Sequence, residues 1–112
     1  MENLKIFVKD FSKTPGTRYR DEGKKAHSGQ QFREEILAPA FQKVRNGEYG
    51  KLIVDLDGTI GYGTSWLEEV FGGLAREYET QEVLHRLELI SNEEPYLIED
   101  INQYIRNAKG KG

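Results

Sequence analysis

Two adjacent hydroxyls, Thr64 and Ser65, follow an apolar run and a Gly-punctuated turn, and they open an amphipathic helical pattern. A hydroxyl pair so placed is a position where phosphate can sit or be added. The helix N-terminus offers unsatisfied N–H donors and a dipole that favours negative charge. The same two oxygens also suit a helix cap and nothing more, since Ser and Thr are preferred there for the side-chain oxygen alone. Just upstream, the carboxylates of Asp55 and Asp57 stand where the strand meets the turn. A plain account of them is that Asp55 ends a strand and Asp57-Gly58 makes a turn. Arg18, Arg20, Lys24 and Lys25 gather near Gly16 and Gly23 and could hold an anion. No Walker-type pattern accompanies them, and a solvated loop accounts for the cluster. His27 and His85 lie far apart, and neither has a nucleophile and an acid at a spacing that makes a catalytic set.

These residues need elements to position them. Leu4, Ile6 and Val8 against Lys5 and Lys9 predict a first short strand within 4–11. Pro15-Gly16 signals a turn, and a second short strand fits Thr17–Arg20. Ser28-Gly29-Gln30-Gln31 is a capping-box pattern. Phe32, Ile36, Leu37, Ala40, Phe41 and Val44 then recur at helical spacing, with Pro39 expected to kink the helix or end its first half. Asn46-Gly47 stops it. Leu52–Leu56 reads as a central strand buried on both faces. Ser65-Trp66-Leu67-Glu68 reads as a second capping box. Leu67, Val70, Phe71 and Leu74 give the buried face of the next helix, and Gly72-Gly73 lets it approach a neighbour closely. Val83–Ile90 reads as a third strand. A last helix begins at Ser91 or Asn92, has an apolar face of Leu97, Ile98, Ile101, Tyr104 and Ile105, and leads into a basic, Gly-rich tail from Asn107 to Gly112. The order β–(β)–α–β–α–β–α predicts an α/β domain.

Composition narrows the function. The 112 residues suit one domain spanning 1–112, and 37% hydrophobic content supports one modest core. A net charge of −3 argues against a nucleic-acid or membrane-surface binder. With no cysteine, thiol catalysis, disulfides and Cys-based zinc sites are excluded. No basic-then-apolar leader opens the chain, and no apolar run approaches the roughly 20 residues that span a bilayer. The expectation is a soluble, cytoplasmic protein without metal or cofactor.

The element order and the 51–74 segment resemble the STAS superfamily, which includes the anti-sigma-factor antagonists and the cytoplasmic domains of sulfate transporters. That family's signature is an apolar strand, a short turn, then Asp-Ser-Ser/Thr-Gly opening a helix. Here Leu52–Leu56 matches the strand, and Gly63-Thr64-Ser65-Trp66 falls at the signature. Closer still is the resemblance to a bacterial STAS-like family of unknown function. It is carried by Ser28-Gly29-Gln30-Gln31-Phe32-Arg33-Glu34-Glu35 and by the block from Gly61-Tyr62-Gly63-Thr64-Ser65 through Phe71-Gly72-Gly73-Leu74. The resemblance implies a small sandwich, a mostly parallel sheet of about four strands covered by three helices. It also implies partner switching: a kinase of the histidine-kinase-like ATPase fold phosphorylates a signature hydroxyl and changes affinity for a partner. By position Thr64 is the acceptor, with Ser65 beside it. Gly61, Tyr62, Gly63, Trp66, Glu68 and Glu69 would form the partner surface, the two glutamates suggesting a basic partner. The chain departs from the signature at Gly63, where Asp is usual, and at Trp66, where a small residue is usual.

Val54-Asp55-Leu56-Asp57-Gly58-Thr59 is similar to the first motif of the haloacid dehalogenase superfamily. That resemblance implies a Mg²⁺-dependent phosphotransferase, with Asp55 as nucleophile and Asp57 as general acid/base. Against it, the motif begins too far into a short chain, and no later Lys and acidic pair are well placed. A third reading is a constitutive interaction module or homodimer with an exposed apolar patch around Trp66 and Phe71. Of the three, the sequence favours a regulatory binding domain that catalyses nothing itself.

Overall fold

Leu4 stands opposite Leu52, and Leu52 opposite Leu87; two residues on, Ile6, Val54 and Leu89 form a second row. These rows belong to the three-stranded parallel sheet of the computed structural model, which describes residues 2–16, 18–19 and 27–108. The strands are β1 (Leu4–Phe7), β2 (Leu52–Asp55) and β3 (Leu87–Ile90), in the order β1-β2-β3. Leu52 and Val54 are fully buried, and Leu4, Ile6, Leu87 and Leu89 pack against the same core. The opposite face carries Lys5, Ile53 and Glu88 in one row and Phe7, Asp55 and Ile90 in the next. β2 is therefore central, as its apolar run predicted. Burial alternates along it all the same, because Ile53 is only half-buried on the second face.

Among the described residues, four helices complete this α/β fold. α1 spans 29–45, formed by Gly29–Phe32, a π turn at Arg33–Leu37, and Ala38–Arg45. Ser28 caps it by accepting from the Gln31 N–H, while the Gln31 side chain accepts from the His27 N–H. Pro39 does not stop the helix. The Ala38 N–H reaches back five residues to the Arg33 carbonyl, and this wider turn lies just before the residue that lacks a donor. Gly47, at φ 85°, closes the end, with Glu48 N–H on the Lys43 carbonyl and Gly47 N–H on that of Val44.

α2 spans 64–78 as Thr64–Leu67, a second π turn at Glu68–Gly72, and Gly73–Tyr78. It buries Trp66, Leu67, Val70, Phe71 and Leu74. Glu79, at φ 90°, turns the chain into α3 (Thr80–Arg86). α4 spans Tyr96–Asn107 and buries Leu97, Ile101 and Ile105.

Several boundaries differ from expectation, each for a local reason. The first strand stops at Phe7, because a 3-10 turn at Val8–Asp10 directs Val8 into the core. The predicted strand Val83–Ile90 is helical up to Arg86. Val83, Leu84 and Leu87 sit at helical as well as strand spacing, and Val83 is the buried residue of α3. The last helix starts at Tyr96 rather than at Ser91 or Asn92. The Ser91 hydroxyl donates to the Glu94 carbonyl in a separate turn, and Pro95 directly precedes the helix. The predicted capping box at Ser65 does not form: Gly63 is the N-cap residue, and no side chain caps this start. The sheet has three strands among the described residues, not about four, and there are four helices rather than three. Of the strand fitted to Thr17–Arg20, Thr17 and Arg20 lie outside the described residues, and Arg18 and Tyr19 form no strand. The tail from residue 109 to 112 also lies outside them.

Candidate functional site

The loop from Leu56 to Gly63 carries the chain from the C-terminal end of β2 to the start of α2. Tyr62 braces it from within. Its hydroxyl donates to the Leu56 carbonyl at 2.7 Å, and burial pushes the phenol well above its ordinary pKa. Thr64, the first residue of α2, is exposed, and Ser65 is half-buried. A segment from the far side of the sequence lies against this start. The Lys13 carbonyl accepts from Ile60 N–H and the Pro15 carbonyl from Gly63 N–H, both at 2.8 Å. The Ser65 hydroxyl donates to the Gly16 carbonyl at 3.4 Å. Gly63 favours this approach: a Cβ there would lie 3.0 Å from the Gly16 Cα and O, and the strap would have to give by a few tenths of an ångström. Two residues beyond Gly16, the Arg18 carbonyl accepts from Gln30 N–H.

Behind the hydroxyls lies a charge network. Glu68 is held by Arg18 at 2.8 Å and by Arg76 at 2.6 Å. The Arg76 hydrogen bond keeps its carboxyl below the ordinary range; burial opposes it, and the Arg18 hydrogen bond adds to the lowering. Glu69, 5% exposed, pairs with Arg33 at 2.9 Å. The two segments that carried the family resemblance thus meet here, through Arg33 and Glu69 and through Gly29, whose missing Cβ leaves room for the Trp66 carbonyl at 3.0 Å.

A family model described as STAS-like domain of unknown function (DUF4325) matches residues 28–97, more than half of the chain. The chain belongs to this STAS-like family. No curated protein and no solved structure matches it.

Within this STAS-like domain the predicted site residues separate. Gly61, Tyr62, Gly63, Thr64 and Ser65 form one continuous loop and helix start. Trp66 does not join them at the surface. It is fully buried, its ring 5.2 Å from that of Phe32, its Nε1 directed at the His27 carbonyl. Phe71 is also fully buried, so the apolar patch expected around these two residues does not exist. Glu69 points inward, and Arg18, Arg33 and Arg76 offset the negative field expected from Glu68 and Glu69. Sequence reading passed over Ile60, which is 85% exposed four residues before Thr64. A lone apolar residue between Gly58 and Gly61 was the available signal. Arg18 was noted only as part of a basic loop, of which Arg20, Lys24 and Lys25 lie outside the described residues.

Asp55 and Asp57 of this STAS-like domain serve the backbone. Asp55 Oδ1 accepts from Asp57 N–H at 3.0 Å, and its Oδ2 lies 3.7 Å from the Lys5 Nζ. Asp57 Oδ1 accepts from Glu93 N–H at 2.9 Å, and Glu93 Oε1 in return accepts from Gly58 N–H at 2.8 Å. This reciprocal pair ties the β2 turn to the loop after β3. Among the described residues no three His, Asp or Glu side chains gather where they could hold a metal ion, and no helix is long and apolar enough to cross a membrane. His27 and His85 are exposed, His27 with its ring edge against Phe11.

Proposed function

We propose that this domain is a regulatory protein-binding module of the partner-switching kind, with its contact surface centred on the loop 60–63 and Thr64. The observation that carries this reading is the exposed Thr64, first residue of helix 64–78, four positions after the solvent-facing Ile60. Ile60 supplies an apolar anchor of the type that is buried on association. Phosphate on Thr64 would add nearly two negative charges at neutral pH. The helix dipole tolerates that charge within the domain. A partner surface fitted to a neutral hydroxyl loses affinity to it through charge and bulk. On this reading the partner is a kinase of the histidine-kinase-like ATPase fold or a regulator associated with one, and the domain itself catalyses no reaction.

Co-expression with an ATPase-fold kinase encoded beside it, followed by intact mass measurement, tests the reading. Added phosphate that disappears in Thr64→Ala, in Ser65→Ala or only in the double change supports it. A wild-type protein that stays unmodified while binding that kinase equally well with Thr64→Ala and Thr64→Glu overturns it.

A further inference from the structure

The two hydroxyls are not equivalent, and the difference lies in what covers them. Thr64 faces solvent. Ser65 faces the strap formed by Lys13, Pro15 and Gly16, whose three carbonyls accept from Ile60 N–H, Gly63 N–H and the Ser65 hydroxyl in turn. The three strap groups that make these bonds are all acceptors, and the cation nearest to Gly16 along the chain, Arg18, is held by Glu68 at 2.8 Å and by Glu69 at 3.5 Å. Ser65 fits because its neutral hydroxyl donates. The strap also runs close to the helix start, since a Cβ on Gly63 would stand 3.0 Å from Gly16, and Ser65 itself is half-buried beneath it.

We propose that Ser65 is a latch: its neutral hydroxyl keeps the strap seated, and negative charge placed on it releases the strap. This rests on the reading above, that this helix start is a target of phosphorylation, and it assigns the conformational response to Ser65 rather than Thr64. In the modifying step the Ser65 Oγ–phosphorus bond forms and the bond from the γ-phosphorus of a nucleoside triphosphate to its bridging oxygen breaks. Nucleoside diphosphate leaves, and the hydroxyl proton passes to a base of the kinase. The product has only acceptors where a donor stood, 3.4 Å from a carbonyl oxygen that cannot donate. Because charge and the seated strap exclude each other, linkage is reciprocal: a partner that holds the strap down protects Ser65 from modification.

Two effects of opposite sign make this testable. The dipole of helix 64–78 favours an acidic residue in its first turn at either position. The strap opposes it only at Ser65. Backbone amide exchange of the full chain, followed by NMR, reads the strap directly, because the Ile60 and Gly63 amides donate to it. In Ser65→Asp these two amides should exchange about tenfold faster or more, while the amides of β2 keep wild-type rates. In Thr64→Asp they should remain protected. Wild-type protection in Ser65→Asp, or equal loss in Thr64→Asp, overturns the latch. Should Ser65→Asp fail to fold, Ser65→Ala provides the uncharged counterpart: it removes the donor to the Gly16 carbonyl and should speed exchange of the same amides by a smaller factor, and unchanged protection there also refutes the proposal. No kinase is needed for these measurements. Absence of phosphate in cells would thus defeat the proposed function without touching the latch, and the exchange result would defeat the latch without touching Thr64.

Discussion

Arg33 Nη2 lies 2.9 Å from Glu69 Oε2, joining the π turns of α1 and α2 across their interface. Both residues begin or flank a widened turn, and Glu69 is almost fully buried. Arg18, 3.5 Å from Glu69 Oε1, is the second cation on this carboxylate, so removing Arg33 takes away the nearer of two partners. Arg33→Ala should therefore lower stability by about 2 kcal/mol in urea unfolding, the scale of a hydrogen bond to a charged group. The double change Arg33→Met with Glu69→Leu should recover most of it, because two apolar side chains need no compensation.

Gly73 explains why glycine interrupts α2 there. A Cβ at this position would stand 2.6 Å from Arg33 Nε and 2.9 Å from its Cδ. Ala is a better helix former than Gly by about 1 kcal/mol. The displaced guanidinium should outweigh that gain, since overpacking costs about 1–3 kcal/mol. Gly73→Ala should lower Tm in a thermal melt, whereas the exposed helix position Gln103→Ala should leave Tm unchanged or raise it.

Glu68 makes stability depend on pH. Its carboxyl is depressed in the folded state by the Arg76 hydrogen bond first, and by Arg18. A depressed carboxylate contributes stability that is complete above its unfolded pKa, about 4.3, and is lost as pH falls through the lower folded value. The urea midpoint of the wild type should fall on acidification through this range. In Glu68→Gln the fall should be smaller, starting from a lower midpoint at pH 7.

Trp66 is the chain's single tryptophan and is fully buried. Its emission should be blue-shifted and resist acrylamide quenching, and binding of a partner to the 60–64 loop should leave it unchanged. Trp66→Ala should cost about 3–5 kcal/mol, the range for large-to-small changes in a packed core. Quenching as fast as that of free tryptophan would contradict this packing.

Asp57 and Glu93 tie two loops together at the C-terminal edge of the sheet. Asp57→Ala should cost about 1 kcal/mol through the lost bond to Glu93 N–H. With Mg²⁺ and an aryl phosphate the wild type should show no turnover. Turnover abolished by Asp55→Asn would instead establish the phosphotransferase reading.

The amino-acid sequence by itself determined the class of fold and most of the core. Phe32, Phe41, Leu52, Val54, Phe71 and Ile101 disclose their burial through local periodicity, which is a property of neighbours along the chain. Ser28 and Gly47 likewise mark the ends of α1 through bonds that span only a few residues. The reading failed where a short apolar run fits two periods, so that 83–86 became helix, and where a distant segment fixes a local boundary. Ser65 is the clear case: its helix begins at Thr64 with Gly63 as the N-cap residue, which leaves Ser65 inside the first turn, where its hydroxyl donates to the Gly16 carbonyl 49 positions away in the chain. Only the tertiary structure decided that Trp66 and Glu69 face inward, that three arginines offset two glutamates, and that Thr64 is open while Ser65 is covered. Side-chain exposure and charge pairing are set by segments brought together in space, and no local pattern encodes which segment arrives.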